Sequence, residues 1–196
     1  MGLKPLLERR PIAVALAGPN RAGKSTFYDG ILANTGLYFV NADALALSIG
    51  TDAYEAADLA NKLRRQLVEQ RASFIFETVF SDPVGDKLDF LKSAEKAGYA
   101  VLLIFVGIAG PEISDLRVAM RASQGGHDVP RNKLVDRYPR TMSNLKRSLV
   151  EIANVWVYDH SDLDAGYRLV ATREGGRKVE LHGTTPDWLR PLLPGD

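Results

Sequence analysis

Across 196 residues, 25 lysines and arginines nearly cancel 24 aspartates and glutamates, so no global charge argues for nucleic acid or an anionic membrane as partner. The absence of cysteine excludes disulfides and thiolate metal sites, and the dispersed His127, His160 and His182 argue against structural zinc. No apolar run approaches a membrane span, and Met1 to Arg10 lacks the apolar core of a signal peptide, so one cytoplasmic domain over residues 1–196 is expected.

Ile12 to Ala17 reads as a buried strand and Phe27 to Leu32 as a helix. Between them Gly18-Pro19-Asn20-Arg21-Ala22-Gly23-Lys24-Ser25-Thr26 fits G-x-x-x-x-G-K-[ST]. In that setting the glycines let backbone N–H groups turn inward around phosphate oxygens, Lys24 reaches the β- and γ-phosphates, and the Ser25 hydroxyl ligates Mg²⁺. A nucleoside triphosphate is therefore the expected donor, held over Gly18 to Thr26.

Leu37 to Val40 is a short strand ending in Asn41-Ala42-Asp43. Asp52 and Glu55 have capping-box spacing, and Ala56, Leu59, Leu63 and Leu67 make one face of the helix that follows. Ser73 to Phe76 is a third strand running into Glu77-Thr78. Asp82-Pro83 reads as a helix start, with Val84, Leu88 and Leu91 inward and Gly98 as the stop. Ala100 to Val106 is the longest apolar strand and is expected at the sheet centre.

Gly110-Pro111 opens another helix, with Ile113, Leu116 and Met120 inward, and Gly125-Gly126 ends it. Arg131 to Ile152 is mostly helical, kinked or restarted at Pro139. Val155 to Tyr158 is a fifth core strand. Tyr167 to Ala171 and Lys178 to Leu181 form an edge hairpin through Gly175-Gly176. Trp188, Pro191 and Pro194 mark a short closing helix and a frayed end. Strands alternating with amphipathic segments give an α/β fold with a mainly parallel five-stranded sheet.

Ligands in such folds sit beyond the carboxyl ends of the strands. Asp43 follows the second strand and Glu77-Thr78 follows the third. Phosphoryl transfer needs a carboxylate near the acceptor hydroxyl, and Mg²⁺ needs oxygen partners. Asp43 is the candidate for orienting or deprotonating an acceptor; Glu77 would bind substrate or support the metal. Position alone leaves open that Asp43 merely caps a turn and Glu77 merely ends a strand.

Residues 112–150 carry eight cations against four acids, a local +4. Arg117 and Arg121 share a helix face, and arginine forks match the equatorial oxygens of a transferring phosphoryl group. With a glycine pair between two arginine groups, this segment reads as a lid; a solvated face is the alternative, favoured for Lys133, Lys146 and Arg147. Only Tyr138 interleaves these cations, which argues against nucleic acid.

GPNRAGKST, NADALA, FETVFS, RVAMRASQGGHDVPRNKLVDRYPRTMSNL and VWVYDHSD, in order from about Ala13 to Asp162, resemble the zeta-toxin family of P-loop kinases. The GGHDVP block and the RYPR helix are the specific part. The resemblance implies a three-layer P-loop kinase fold with a helical lid over about 112–150, ATP and Mg²⁺, and transfer to the 3′-hydroxyl of a UDP-amino sugar such as UDP-N-acetylglucosamine. It implies Asp43 as base, Lys24 on the phosphates, Glu77 and Thr78 on substrate, and Arg121 and Arg137 as lid arginines, with Arg117 on ATP and Arg140 on substrate as weaker matches. His127-Asp128 matches without an assigned role.

Arg21 stands where relatives often carry Gly, and Val79-Phe80 replaces a more usual Thr-Leu. An antitoxin partner is possible, though no motif here encodes it. A kinase for another small molecule, or a nucleotide-dependent binding module, are the alternatives.

Overall fold

The computed structural model describes residues 3–113 and 131–195. Helix α1 (Leu3–Leu7) precedes β1 (Ile12–Ala17) and α2 (Lys24–Phe27), which continues as a π-helical turn over Tyr28–Leu32. Strand β2 (Tyr38–Val40), helices α3 (Ala42–Ile49) and α4 (Ala53–Glu69), strand β3 (Phe74–Thr78) and helix α5 (Asp86–Lys96) follow. Then come β4 (Ala100–Gly107), α6 (Arg131–Glu151), β5 (Val155–Asp159), β6 (Arg168–Arg173) and β7 (Glu180–Leu181).

The seven strands form one sheet in the order β2-β3-β1-β4-β5-β6-β7. The first five are mutually parallel, and β6 and β7 are antiparallel additions at one edge. The expected five-stranded parallel sheet is therefore present, and the hairpin extends it. β4 lies at the centre and is buried from Val101 onward.

Side chains alternate across each strand, so one sheet builds two cores. Ala13, Ala15 and Ala17 face a layer of Ala60, Leu67, Leu88, Leu91, Leu145 and Leu149, contributed by α4, α5 and α6. Val14 and Leu16 face Leu6, Leu7, Phe27 and Leu32 on the other side. The result is three layers.

Several local expectations are corrected. The first helix starts at Lys24, and its second half widens into a π-turn. Winding with i→i+5 bonds brings residues five apart onto one face, which lets Phe27 and Leu32 both reach the core at 0% exposure. On α4, Leu59 is 39% exposed and Ala60 and Arg64 take the inner face instead. The Arg64 guanidinium lies 4.6 Å from the Phe76 ring centroid and 5.4 Å from that of Phe90, so an apolar-only pattern misses it. Asp52 caps α4 by accepting from the Tyr54 and Glu55 amides, but the Glu55 carboxylate turns to the Thr51 hydroxyl rather than completing a box.

Helix α5 begins three residues later than Pro83 suggests, after Gly85 in a left-handed conformation, and Val84 is exposed. The preceding segment is held as a loop: Asn144 Nδ2 donates to the Phe80 and Asp82 carbonyls, 3.0 Å each. Pro139 neither restarts nor ends α6, which runs unbroken across it. The carbonyl its ring leaves without an amide partner is that of Val135, and both residues are exposed, so that carbonyl lies within reach of solvent. The closing turn is the 3₁₀ segment Arg190–Leu192, and the tail is not frayed there, since Leu189 and Leu192 are buried. The segment 111–113 is helical as expected. Leu116, Arg117, Met120, Arg121, Gly125-Gly126, His127 and Asp128, within the segment expected as a lid, lie outside the described residues.

Candidate active site

Parallel pairing puts the ends of β1, β3, β4 and β5 on one edge, with Ala17 beside Thr78 and Gly107 beside Asp159. The glycine-rich loop occupies this edge. Gly18 has φ +145°, and a Cβ there would stand 2.1 Å from the Val106 carbonyl oxygen, so only glycine lets the loop leave β1. Gly23 has φ +95° and begins α2 with no side-chain cap, which leaves the first-turn amides for a ligand. Arg21 sits at φ +61°, a left-handed conformation that favours glycine.

Lys24 is buried at 5% exposure and folds back over the loop, its Nζ donating to the Gly18 and Pro19 carbonyls at 3.0 Å. Glu77 Oε1 lies 3.8 Å from the same Nζ, and Glu77 Oε2 accepts from Asn41 Nδ2 at 2.9 Å. Ser25, exposed on the first turn of α2, lies close enough to Glu77 to pull its carboxyl down against the effect of burial. Thr26 is exposed beside it.

Asp43 stands exposed in the first turn of α3, close enough to act electrostatically on both Lys24 and Glu77. It does not cap that helix: Asn41 does, its Oδ1 accepting from the Ala44 amide at 3.0 Å. Asp43 is thus unoccupied by a structural task among the described residues. Thr78 Oγ1 accepts from the Phe80 amide at 3.0 Å, shaping the turn after Glu77.

Burial pulls the Lys24 ammonium below its usual range, opposed by Glu77 and Asp43. Burial likewise pushes the Glu77 carboxyl up; Lys24 opposes that, and Asp43 adds to it. Attraction within the pair would shift each the other way, so desolvation outweighs it in both directions. A polyanion placed beside Lys24 would favour the charged form of the ammonium.

Arg137 of α6 shares a small pocket with Pro19 and Asn20 of the loop and Val79 beyond β3. Arg140 stands exposed one turn further on, outside that pocket. Helix α6 is pinned here: Tyr138 Oη donates to the Ile108 carbonyl at 2.8 Å, and Thr141 Oγ1 to that of Val79 at 2.9 Å.

The sequence reading missed Asn41, Thr141, Asn144, His160 and Tyr167. Asn41 precedes an apolar helix, which is an N-cap signal. His160 follows the fifth strand, where the rule of looking beyond strand ends would have found it. Tyr167, Thr141 and Asn144 act through tertiary contacts and carry no local signal.

The chain matches the family model for zeta toxin over residues 41–173, more than half its length and beginning beyond the glycine-rich loop. No curated protein matches the sequence. Among solved structures, the AvrRxo1-ORF1:ORF2 complex has a chain at 20% identity and TM-score 0.69, covering 90% of this chain and 63% of its own. A form of that complex solved with ATP gives 19% and 0.63, covering 89% and 61%. The PezAT chromosomal toxin–antitoxin system of Streptococcus pneumoniae gives 18% and 0.58, covering 85% and 75%. The chain thus spans less than two thirds of the AvrRxo1 chains it matches. These likenesses carry the fold, and the family match carries the rest: the chain belongs to the zeta toxin family, on a P-loop kinase fold.

Proposed function

We propose that the chain is an ATP-dependent kinase that phosphorylates a hydroxyl of a small acceptor, the 3′-hydroxyl of a UDP-amino sugar such as UDP-N-acetylglucosamine. The observation that carries this reading is the convergence of Asp43 and Glu77, from two separate strand ends, on Lys24 of the glycine-rich loop. A loop that only sensed nucleotide would have less use for two carboxylates there.

Lys24 and the amides of Gly18 to Thr26 hold the triphosphate, with Arg137 approaching from α6. Arg121 and Arg117 join from the lid in this reading. The acceptor oxygen bonds to the γ-phosphorus, the bond to the bridging oxygen of ADP breaks, and Asp43 takes the hydroxyl proton. Glu77, Thr78 and Arg140 orient the acceptor.

The Ser25 hydroxyl and the Glu77 carboxylate near it are oxygen donors of the kind Mg²⁺ takes. Bound there, the ion would neutralise charge on the phosphates.

A protein partner of the antitoxin kind belongs to the same reading, supported by PezAT being a toxin–antitoxin system. The test is a panel of UDP-sugars, nucleosides and polyols incubated with the protein, ATP and Mg²⁺ and read by mass spectrometry. A UDP-amino sugar heavier by one phosphoryl group is expected. Transfer only to acceptors lacking UDP would overturn the substrate assignment, and no transfer to any acceptor would overturn the kinase.

A further inference from the structure

Two side chains outside the phosphate-loop motif grip two successive carbonyls within it. His160 Nδ1 lies 2.7 Å from the Ala22 carbonyl oxygen, and Tyr167 Oη donates to the Gly23 carbonyl oxygen at 2.6 Å. A carbonyl oxygen only accepts, so Nδ1 carries the hydrogen. The two rings stack with centroids 4.1 Å apart and planes at 21°, and Tyr167 meets Phe27 edge-on at 5.1 Å.

This platform is fixed to the sheet. His160 is buried, and its amide donates to the Gly107 carbonyl at the end of β4, 2.9 Å away. It also accounts for Gly23. A Cβ there would stand 2.6 Å from His160 Nδ1 and 2.8 Å from Tyr167 Oη, so any side chain would push the grip away.

In a trans peptide the C=O of one residue and the N–H of the next share a plane and point opposite ways. Holding the Ala22 carbonyl toward His160 turns the Gly23 amide away from it, and holding the Gly23 carbonyl toward Tyr167 does the same for the Lys24 amide. The Gly23 carbonyl also accepts from the Phe27 amide at 2.9 Å, so the grip sets the loop and the first turn of α2 together.

We propose that His160 and Tyr167 are positioning residues for the nucleotide: they aim the Gly23 and Lys24 amides at the phosphates without touching them. The inference rests on the ATP reading above and adds two residues to it.

The test compares the unmodified protein with Tyr167→Phe, His160→Leu and His160→Asn. ATP binding with Mg²⁺ is measured by calorimetry, and the unfolding midpoint is measured without nucleotide. Tyr167→Phe keeps the stacked ring and loses one hydroxyl, while His160→Asn places an amide donor near the position of Nδ1. Tyr167→Phe and His160→Leu are expected to weaken ATP about fivefold to tenfold, the scale of one hydrogen bond, and His160→Asn to recover most of that loss.

Equal ATP affinity in all four proteins would overturn the clamp and leave the kinase reading standing. A loss that His160→Asn does not restore, or one that merely follows the midpoint, would also overturn it. Failure of the unmodified protein to bind ATP would remove the kinase reading and the clamp with it.

Discussion

Lys24 and Glu77 are neighbours whose burial acts against both charges, and this has a consequence for stability. Between the ordinary 4.5 and its raised folded value, Glu77 keeps a proton in the folded chain that the unfolded chain has released. Stability therefore falls as pH rises through that window. Lys24 runs the other way, since its folded form releases a proton first and stability rises with pH toward 10.5. Glu77→Gln should remove the fall on the acid side, so the difference in unfolding midpoint between the two nucleotide-free proteins should widen from pH 4.5 upward. Parallel profiles would contradict this. At this scale the sequence was informative where a motif or a strand end marks the spot, as for Gly18, Gly23, Lys24, Asp43 and Glu77. It was silent on Asn41 holding Glu77, because that contact joins residues 36 apart in the chain.

Helix α6 does two things that no periodicity reveals. Its Arg137 stands beside the phosphate loop, and its Thr141 and Asn144 bond the backbone of the segment that follows Glu77. That segment contains Phe80, which is buried at 1% exposure with φ +62°, a conformation held by its surroundings rather than its own preference. Asn144→Ala would leave the Phe80 and Asp82 carbonyls without this donor and should cost about 1–3 kcal/mol in chemical denaturation. Under the proposed function it should also raise the acceptor KM more than the ATP KM; equal effects on both would contradict a link between α6 and the acceptor wall. Apart from α1 and α3, which were not anticipated, the strands and helices were readable from apolar spacing. Their ends were not, because Gly85, Asn144 and the π-turn at Tyr28–Leu32 are settled by packing between distant segments.

Over the whole molecule, the tail closes the sheet near the site. Trp188 Nε1 donates to Asp159 Oδ1 at 2.9 Å, Arg168 pairs with Asp159 Oδ2 at 2.9 Å, and the Trp188 ring covers Gly107. A Cβ at Gly107 would stand 2.2 Å from that ring, so Gly107→Ala should destabilise by about 1–3 kcal/mol, read by denaturant unfolding. Burial raises the Asp159 carboxyl, but hydrogen bonds from Ser161, Arg168 and Trp188 outweigh it and hold the group below its usual 3.8. Its contribution to stability is therefore complete above pH 3.8 and is lost as pH falls below that value. Asp159→Asn should lower the midpoint at neutral pH and flatten the acid limb; an unchanged acid limb would contradict this. The alternation of strands and helices made the parallel sheet legible, while the role of the tail was hidden because its partners are not near it in sequence.

The kinase reading turns on Asp43 acting on the acceptor rather than on the nucleotide. Transfer from ATP to UDP-N-acetylglucosamine by the unmodified protein and by Asp43→Asn, with ATP binding measured alongside, tests this. Loss of a general base should slow transfer by about 10² to 10⁴-fold while ATP affinity stays unchanged. Near-normal transfer by Asp43→Asn, or an equal loss of ATP binding, would contradict it.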